Sequence, residues 1–276
     1  AVISGITDTT ATFNGKTQGI DLSKAVVTGG GKALDASKLT VTYDAPETRN
    51  AGEYIATIKY EDADYIGSTT AKLIINKKEV SVKGFEAQSK VYDGKADAVV
   101  NSTNTKLDGM IEGTDVGFDK SGLTFKFDDK NVGTSKAVKN TAPITLTGTD
   151  AGNYNLTNPI VELKGTITAL PATVTLTVAD KTYNGRTDDA KVTMSASGII
   201  AGDDVQLVAT KGVYATADAG DNVEVTVTYT ISGVDKDNYS YSIADKAYGK
   251  VEKRELTVAI IAPAAVTYDG NTHGVS

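Results

Sequence analysis

Four short stretches gather the oxygen atoms that a hard cation takes as ligands: YEDADY at 60–65, FDDKN at 127–131, DAGDN at 218–222 and VDKDN at 234–238. Calcium binds roughly six to eight oxygens from carboxylates, amides and loop carbonyls. Asp235, Asp237 and Asn238, beside Tyr239, make the best such candidate. None of the four follows the twelve-residue EF-hand pattern, and Asp and Asn are also the residues that build turns. No other cofactor is suggested.

Other reactive chemistry is sparse. The single histidine, His273, leaves a Ser-His-Asp triad or a histidine metal site without partners. There is no cysteine, hence no disulfide and no thiolate ligand. The run GGGK at 29–32 lacks the rest of a phosphate loop and reads as a flexible turn. A lysine, an amide or carboxylate, and an acid buried together can form an amide crosslink. The sequence does not locate such a trio. Tyrosines number 13 against 5 phenylalanines, and exposed ones could stack on sugars. Tyr65, Tyr154 and Tyr239 recur at one place in successive segments, so they are expected to be corner residues with buried rings and capped hydroxyls. No catalytic constellation emerges, and the chain is not expected to be an enzyme.

The elements behind these residues repeat. Phe13–Asn14–Gly15, Tyr92–Asp93–Gly94, Tyr183–Asn184–Gly185 and Tyr268–Asp269–Gly270 are one device made four times, the aromatics being 79, 91 and 85 residues apart. Twelve residues before each aromatic begins an apolar stretch, at Ala1, Val80, Pro171 and Leu256. Asn-Gly and Asp-Gly favour two-residue hairpins with both central residues at positive φ, so the device is expected to be a hairpin corner with its aromatic on the core. Ala51–Gly52, Val132–Gly133 and Ala219–Gly220 follow the first three markers. Closing strands are expected at 71–76, 163–168 and 247–252. IEGTDV (111–116) and IAGDDV (200–205) occur in the second and third units and not in the first.

Segments such as 39–44, 123–128, 143–148 and 223–231 largely alternate with period two, and long helical periodicity is missing. The fold expected is all-β: tandem small β-sandwich-like modules, Ig-like or β-grasp-like, in an elongated rod. The boundaries read as 1–78, 79–170, 171–254, and 255–276 as the start of a truncated fourth module. Junctions of two or three residues leave no flexible linker. In the tail, Leu256, Val258 and Ile260 form an apolar stripe, expected to dock near 247–252 or on a neighbouring molecule.

The stretches KVYDGKADA, GTDAGNYNL with LKGTIT, and VTYDGNTH resemble the YDG and MBG repeats of large bacterial surface proteins and adhesins. The second and third units are similar to the YDG type, the first and the unfinished fourth to the MBG type. Phe13 in place of tyrosine departs from the marker while keeping its turn. The resemblance implies a secreted protein of the bacterial cell surface or cell wall, and a structural stalk that projects a binding domain for cell adhesion. Its partners would be a host glycan or protein met through adjacent domains. The alternative is that the modules bind such a ligand themselves. A net charge of −7 argues against nucleic acid, and no apolar run suggests membrane insertion of this segment. A monomer is expected.

Overall fold

The computed structural model describes residues 1–259 and 267–272. The chain divides into two compact units, Ala1–Thr168 and Ala169–Ser276. Nearly all regular structure is strand, and the helical pieces among the described residues are three single 3-10 turns.

The first unit holds two β-sandwiches. In the first, a three-stranded antiparallel sheet (Val2–Ser4, Val26–Gly29, Lys32–Leu34) faces a four-stranded one ordered Thr9–Thr12, Ile66–Asn76, Gly52–Glu61, Thr40–Tyr43. Alternation does the sorting: Ala56, Ile58 and Tyr60 point inward from one strand, Ala71, Leu73 and Ile75 from its neighbour. Ile6, Ile20, Leu22 and Leu39 pack onto this cluster. The burial of one such aliphatic side chain contributes about 1.5–3 kcal/mol.

The second sandwich sets a five-stranded sheet (Lys90–Val91, Glu162–Thr168, Gly133–Asn140, Phe125–Phe127, Asp97–Ala98) against a three-stranded one (Lys106–Asp108, Lys78–Lys83, Tyr154–Leu156). Val80 and Val82 are buried on one sheet, Phe127, Val138 and Ile167 on the other. Phe85 lies between Phe118 and Phe125, with centroids 6.4 and 5.3 Å away.

The second unit repeats the plan once. Val192–Ser197, Leu170–Val178 and Tyr239–Ile243 form one sheet, and Lys181–Thr182, Ala247–Glu252, Gly220–Ser232 and Gln206–Tyr214 the other. The core holds Tyr214, Val223, Val225, Ala247 and Val251, with Leu176, Val178 and Val192 against it.

One pairing is the same in all three sandwiches. The short strand before each marker runs parallel to the closing strand, in the registers Thr12↔Asn76, Val91↔Thr168 and Thr182↔Glu252. The marker aromatic adds the last rung: Phe13, Tyr92 and Tyr183 each donate their N–H to Asn76, Thr168 and Glu252 at 2.8 Å.

The marker itself differs from the hairpin expected. Gly15, Gly94, Gly185 and Gly270 have φ of 76°, 75°, 76° and 81°, while the Asn or Asp before each has negative φ. The side-chain oxygens of Asn14, Asp93, Asn184 and Asp269 accept the N–H two residues on, at 2.9, 2.9, 3.0 and 3.0 Å. These are Asx turns followed by a left-handed glycine. A strand paired in parallel does not return on itself, so no hairpin forms there. The two-residue hairpin with both φ positive sits instead at Gly30–Gly31 (56° and 79°), where the GGGK run joins two strands tightly.

In the tail, Asp269–Gly270 makes its turn although no strand forms over 253–259. The code for this turn is therefore local. Leu256 and Val258 are 84% and 83% exposed, so the docking expected of the stripe is not seen at these two residues. A lone strand lacks the partners that would hold it. Ile260 and His273 lie outside the described residues.

Gly185 has open space where a Cβ would go, so only its backbone conformation resists substitution. Gly185→Ala should lower unfolding stability by about 1–2 kcal/mol, the cost of a left-handed L-residue. Gly185→Asn should cost less, and urea denaturation of both variants checks the order.

Candidate functional site

Because the closing strand ends at Asn76 and the next sandwich starts at Lys78, the first marker stands where the chain leaves its module. Within the first unit it meets the second sandwich. The Phe13 ring, 1% exposed, makes a T-shaped contact with the Tyr154 ring, centroids 5.3 Å apart and planes at 78°. The Arg49 guanidinium carbon lies 5.6 Å from the Phe13 centroid, and its Nε donates to the Gly15 carbonyl (3.1 Å). Its Nη1 and Nη2 reach Oδ1 and Oδ2 of Asp150 at 2.7 and 3.3 Å, a bidentate pair. Thr48, buried, ties this segment back to Gln18.

Asn153 completes the clasp. Its Oδ1 accepts the Ala51 N–H at 2.8 Å, and its Nδ2 donates to Asn50 Oδ1 at 3.1 Å. The clasp thus joins 13–15 and 49–51 of one module to 150–154 of the next.

The plug is rigid because its two halves hold each other. Asp150 Oδ2 accepts the Asp115 N–H (3.0 Å), and the Asp150 N–H returns to the Asp115 carbonyl (2.9 Å). Asp115 Oδ2 accepts both the N–H and the hydroxyl of Thr149 at 2.8 Å. The Tyr154 hydroxyl accepts the Ile111 N–H (3.1 Å) and bonds Thr114 Oγ1 (2.8 Å). A Cβ on Gly148 would come within 2.4 Å of the Asp115 carbonyl oxygen, which fixes glycine there. The third module rebuilds this corner. Asp204 N–H bonds Asp235 Oδ2 (3.1 Å), Ile200 N–H bonds the Tyr239 hydroxyl (3.0 Å), and a Cβ on Gly233 would lie 2.1 Å from the Asp204 carbonyl oxygen. The shared IEGTDV and IAGDDV stretches are the inner halves of these corners.

The first module has neither stretch, and its corner is closed on itself. Asp62 accepts from the Tyr60 hydroxyl (2.7 Å), the Asp64 N–H (3.0 Å) and the Tyr65 N–H (2.7 Å). The bond to Asp62, reinforced by burial, pushes the Tyr60 phenol up to about 12. Tyr65 is half-buried and lies on the Gly29–Gly30 turn, where a Cβ on Gly29 would be 2.6 Å from its ring.

The remaining markers divide by burial. Tyr92 is 1% exposed, with Lys130 Nζ 5.8 Å from its ring centroid. Tyr183 is 41% and Tyr268 93% exposed. Of the cation candidates, Asp235 and Asn238 are buried, Asn238 Nδ2 donating to Asp235 Oδ1 (3.4 Å). Asp237 is 85% exposed and pairs with Lys236. Among the described residues no three His, Asp or Glu side chains gather as a metal site.

A lysine, an amide and an acid do come together at the third marker. Lys181 Nζ donates to Asn184 Oδ1 (3.2 Å), Arg186 O (2.6 Å) and Asp189 Oδ1 (2.5 Å), under the Tyr214 ring at 4.8 Å, and Asn184 Nδ2 donates to Asp189 Oδ2 (2.6 Å). An ammonium with all three protons engaged is no nucleophile. At the second marker Lys90 does the same with Asp93, Lys95 O and Asp97 O. The arrangement is a brace for the turn.

Reading the sequence missed the clasp itself: Arg49, Asn50, Asp115, Asp150 and Asn153. A signal existed. Arg49–Asn50–Ala51–Gly52 and Lys130–Asn131–Val132–Gly133 align, as do Asp150–x–x–Asn153–Tyr154 and Asp235–x–x–Asn238–Tyr239.

Asn153 is 5% exposed. Asn153→Ala strands the Ala51 N–H and should lower first-unit stability by about 1–3 kcal/mol in denaturant melts. The Arg49 bonds, then the Asp115 N–H, hold the Asp150 carboxyl below the usual carboxylate range. A lowered folded pKa gives stability that is complete above the unfolded value and is lost as pH falls through the folded one. Acid should therefore weaken the first unit below about pH 4. Arg49→Met should flatten that part of its acid-unfolding curve.

The YDG domain family matches residues 76–161 and 168–247, more than half of the chain, and the MBG domain family matches residues 4–79. Solved structures similar to the chain include Drosophila N-cadherin EC1-3, at 10% identity over 90% of this chain and 98% of that one, TM-score 0.22. The immunoglobulin domains 1-5 of Sidekick-1 give 9% identity over 92% and 59%, TM-score 0.28. Three N-terminal domains of the highly immunogenic outer capsid protein of bacteriophage RB49 give 13% over 84% and 93%, TM-score 0.26. No curated protein matches the chain. By the extent of the family match, the chain belongs to the YDG domain family, with an MBG domain ahead of its two YDG domains.

Proposed function

We propose that the chain is a structural repeat region, the stalk of a bacterial surface adhesin, holding a binding domain away from the cell. The observation that carries this reading is the use made of its polar residues. Arg49, Asp115, Asp150, Asn153, Tyr154 and Lys181 have the types from which sites are built, and each holds one piece of chain to another. No buried side-chain nitrogen or oxygen among the described residues lacks a partner. Tandem sandwiches of the YDG and MBG families fit a repeat or adhesion-type module. Among the described residues no helix is long and apolar enough to cross a membrane.

In this reading the protein stands at the bacterial surface or in the cell wall as a monomer. A host glycan or protein is reached by adjacent domains, and nucleic acid is not a partner. A second reading, that the modules bind glycan directly, draws on Tyr248, which is 48% exposed on the outer face of its sheet. A glycan array probed with the purified chain separates the two. The stalk reading expects no saturable binding. Saturable binding that disappears in Tyr248→Ala would establish the second reading and remove the first.

A further inference from the structure

The receiving half of the clasp occurs again at the end of the third module. Tyr183 takes the place of Phe13 and bonds the closing strand in the same way, N–H to the Glu252 carbonyl at 2.8 Å as Phe13 to Asn76. Asn184–Gly185 repeats the turn of Asn14–Gly15, with the glycine at φ 76° in both. Thr216–Ala217–Asp218–Ala219–Gly220 aligns with Thr48–Arg49–Asn50–Ala51–Gly52, so Ala219 holds the position whose N–H Asn153 takes. Asp218 stands where Asn50 accepts the Asn153 amide, and a carboxylate accepts that donor equally well.

The two halves differ in cover. Phe13 is 1% exposed under Tyr154, whereas Tyr183 is 41% exposed and Asp218 and Ala219 are exposed. Tyr183, Asp218 and Ala219 line one shallow depression with Lys253, Arg254 and Leu256. At the filled end the positive charge facing Asp150 is Arg49. Its counterpart here is Ala217, and the positive charge comes from Lys253 and Arg254 at the margin.

We propose that this end of the third module is a docking surface for a further YDG-type module presenting an Asp-x-x-Asn-Tyr corner, so that the unit beginning at 255 is of the YDG type and not the MBG type that its VTYDGNTH stretch resembles. Its tyrosine would cover Tyr183, its asparagine would take the Ala219 N–H and donate to Asp218, and its aspartate would face Arg254. The filled clasp between residues 13–51 and 150–154 is the pattern for that occupant. The absence of an arginine at 217 makes the asparagine and the tyrosine the main determinants.

The inference rests on the reading of the chain as structural modules, and the test can fail independently of it. Residues 253–276 are replaced by a second copy of residues 77–168, so that the grafted module starts as the second module starts after Asn76. Hydrogen exchange then reads the Ala219 amide in the chimera and in the original chain. The expected result is slowing of Ala219 by about tenfold or more, lost when the graft carries Asn153→Ala. The graft's own Ile111 amide, held by the Tyr154 hydroxyl, reports that the graft is folded. Ala219 exchange unchanged beside a protected graft overturns the proposal. A second chimera carries residues 169–252 as the graft. If neither graft becomes protected on the chain, the proposal is equally overturned. Glycan binding by the original chain would remove the stalk reading and leave the Ala219 result standing.

Discussion

The constraint on which the rest depends is the parallel pairing of the marker strand with the closing strand. A parallel partner cannot be reached by a tight hairpin and needs a long crossover, and here the chain between marker strand and closing strand passes through the other sheet before it returns. The rung from the marker aromatic to the last residue of the closing strand then sets where that crossing ends. It ends at the exit of the module, in all three copies, with the same 2.8 Å bond. The aromatic is thereby placed at the edge of its own core, and Phe13 becomes a surface that the next module covers.

A second layer of organisation concerns which module can cover another. A buried carboxylate is costly unless its lone pairs are saturated. The second and third modules saturate theirs with backbone N–H groups of the inner loop, at Asp115 and Asp204. In the second module this leaves Asn153 aimed outward at its neighbour. The first module saturates Asp62 with its own Tyr60, Asp64 and Tyr65 and has no asparagine at that place. It can receive and is not equipped to plug. The corner of the MBG-type module thus bonds within itself, while that of the second, YDG-type module reaches its neighbour.

Much of this was legible in the sequence, unevenly. The strand segments at 71–76, 163–168 and 247–252 announce themselves by alternation, and the markers by residue types that only turns favour. The marker's turn type was misjudged because Asn-Gly and Asp-Gly serve hairpins and Asx turns alike. The choice depends on where the preceding strand finds its partner, which is a long-range fact. The stretch at 143–148 alternates convincingly yet pairs only over Leu146–Thr147, since Ile144 bonds an irregular segment at Pro159. The clasp was hidden for a different reason. Some of its bonds end on backbone groups, the N–H of Ala51 and the carbonyl of Gly15, which no residue type advertises. What the sequence did show was co-occurrence. The 111–116 stretch and the Asp-x-x-Asn-Tyr corner are present together in two modules and absent together from the first, because they are two halves of one hydrogen-bonded object.

Recognition through backbone also bears on how such modules diverge. A socket that offers an aromatic face and a peptide N–H asks little of its side chains. The residue at the N–H position is Ala51, Val132 or Ala219, and the aromatic is phenylalanine in one module and tyrosine in the others. Charge at the neighbouring position changes from Arg49 through Lys130 to Ala217 without disturbing the turn. The plug is constrained far more tightly, since Asp150, Asn153, Tyr154 and Gly148 each satisfy a specific partner or gap. Variation should therefore accumulate on the receiving end of each module and be resisted on the plugging end. The joint inside the first unit thus depends on one corner and on an aromatic face and a backbone N–H, so side chains around Ala51 can vary while the joint keeps its bonds.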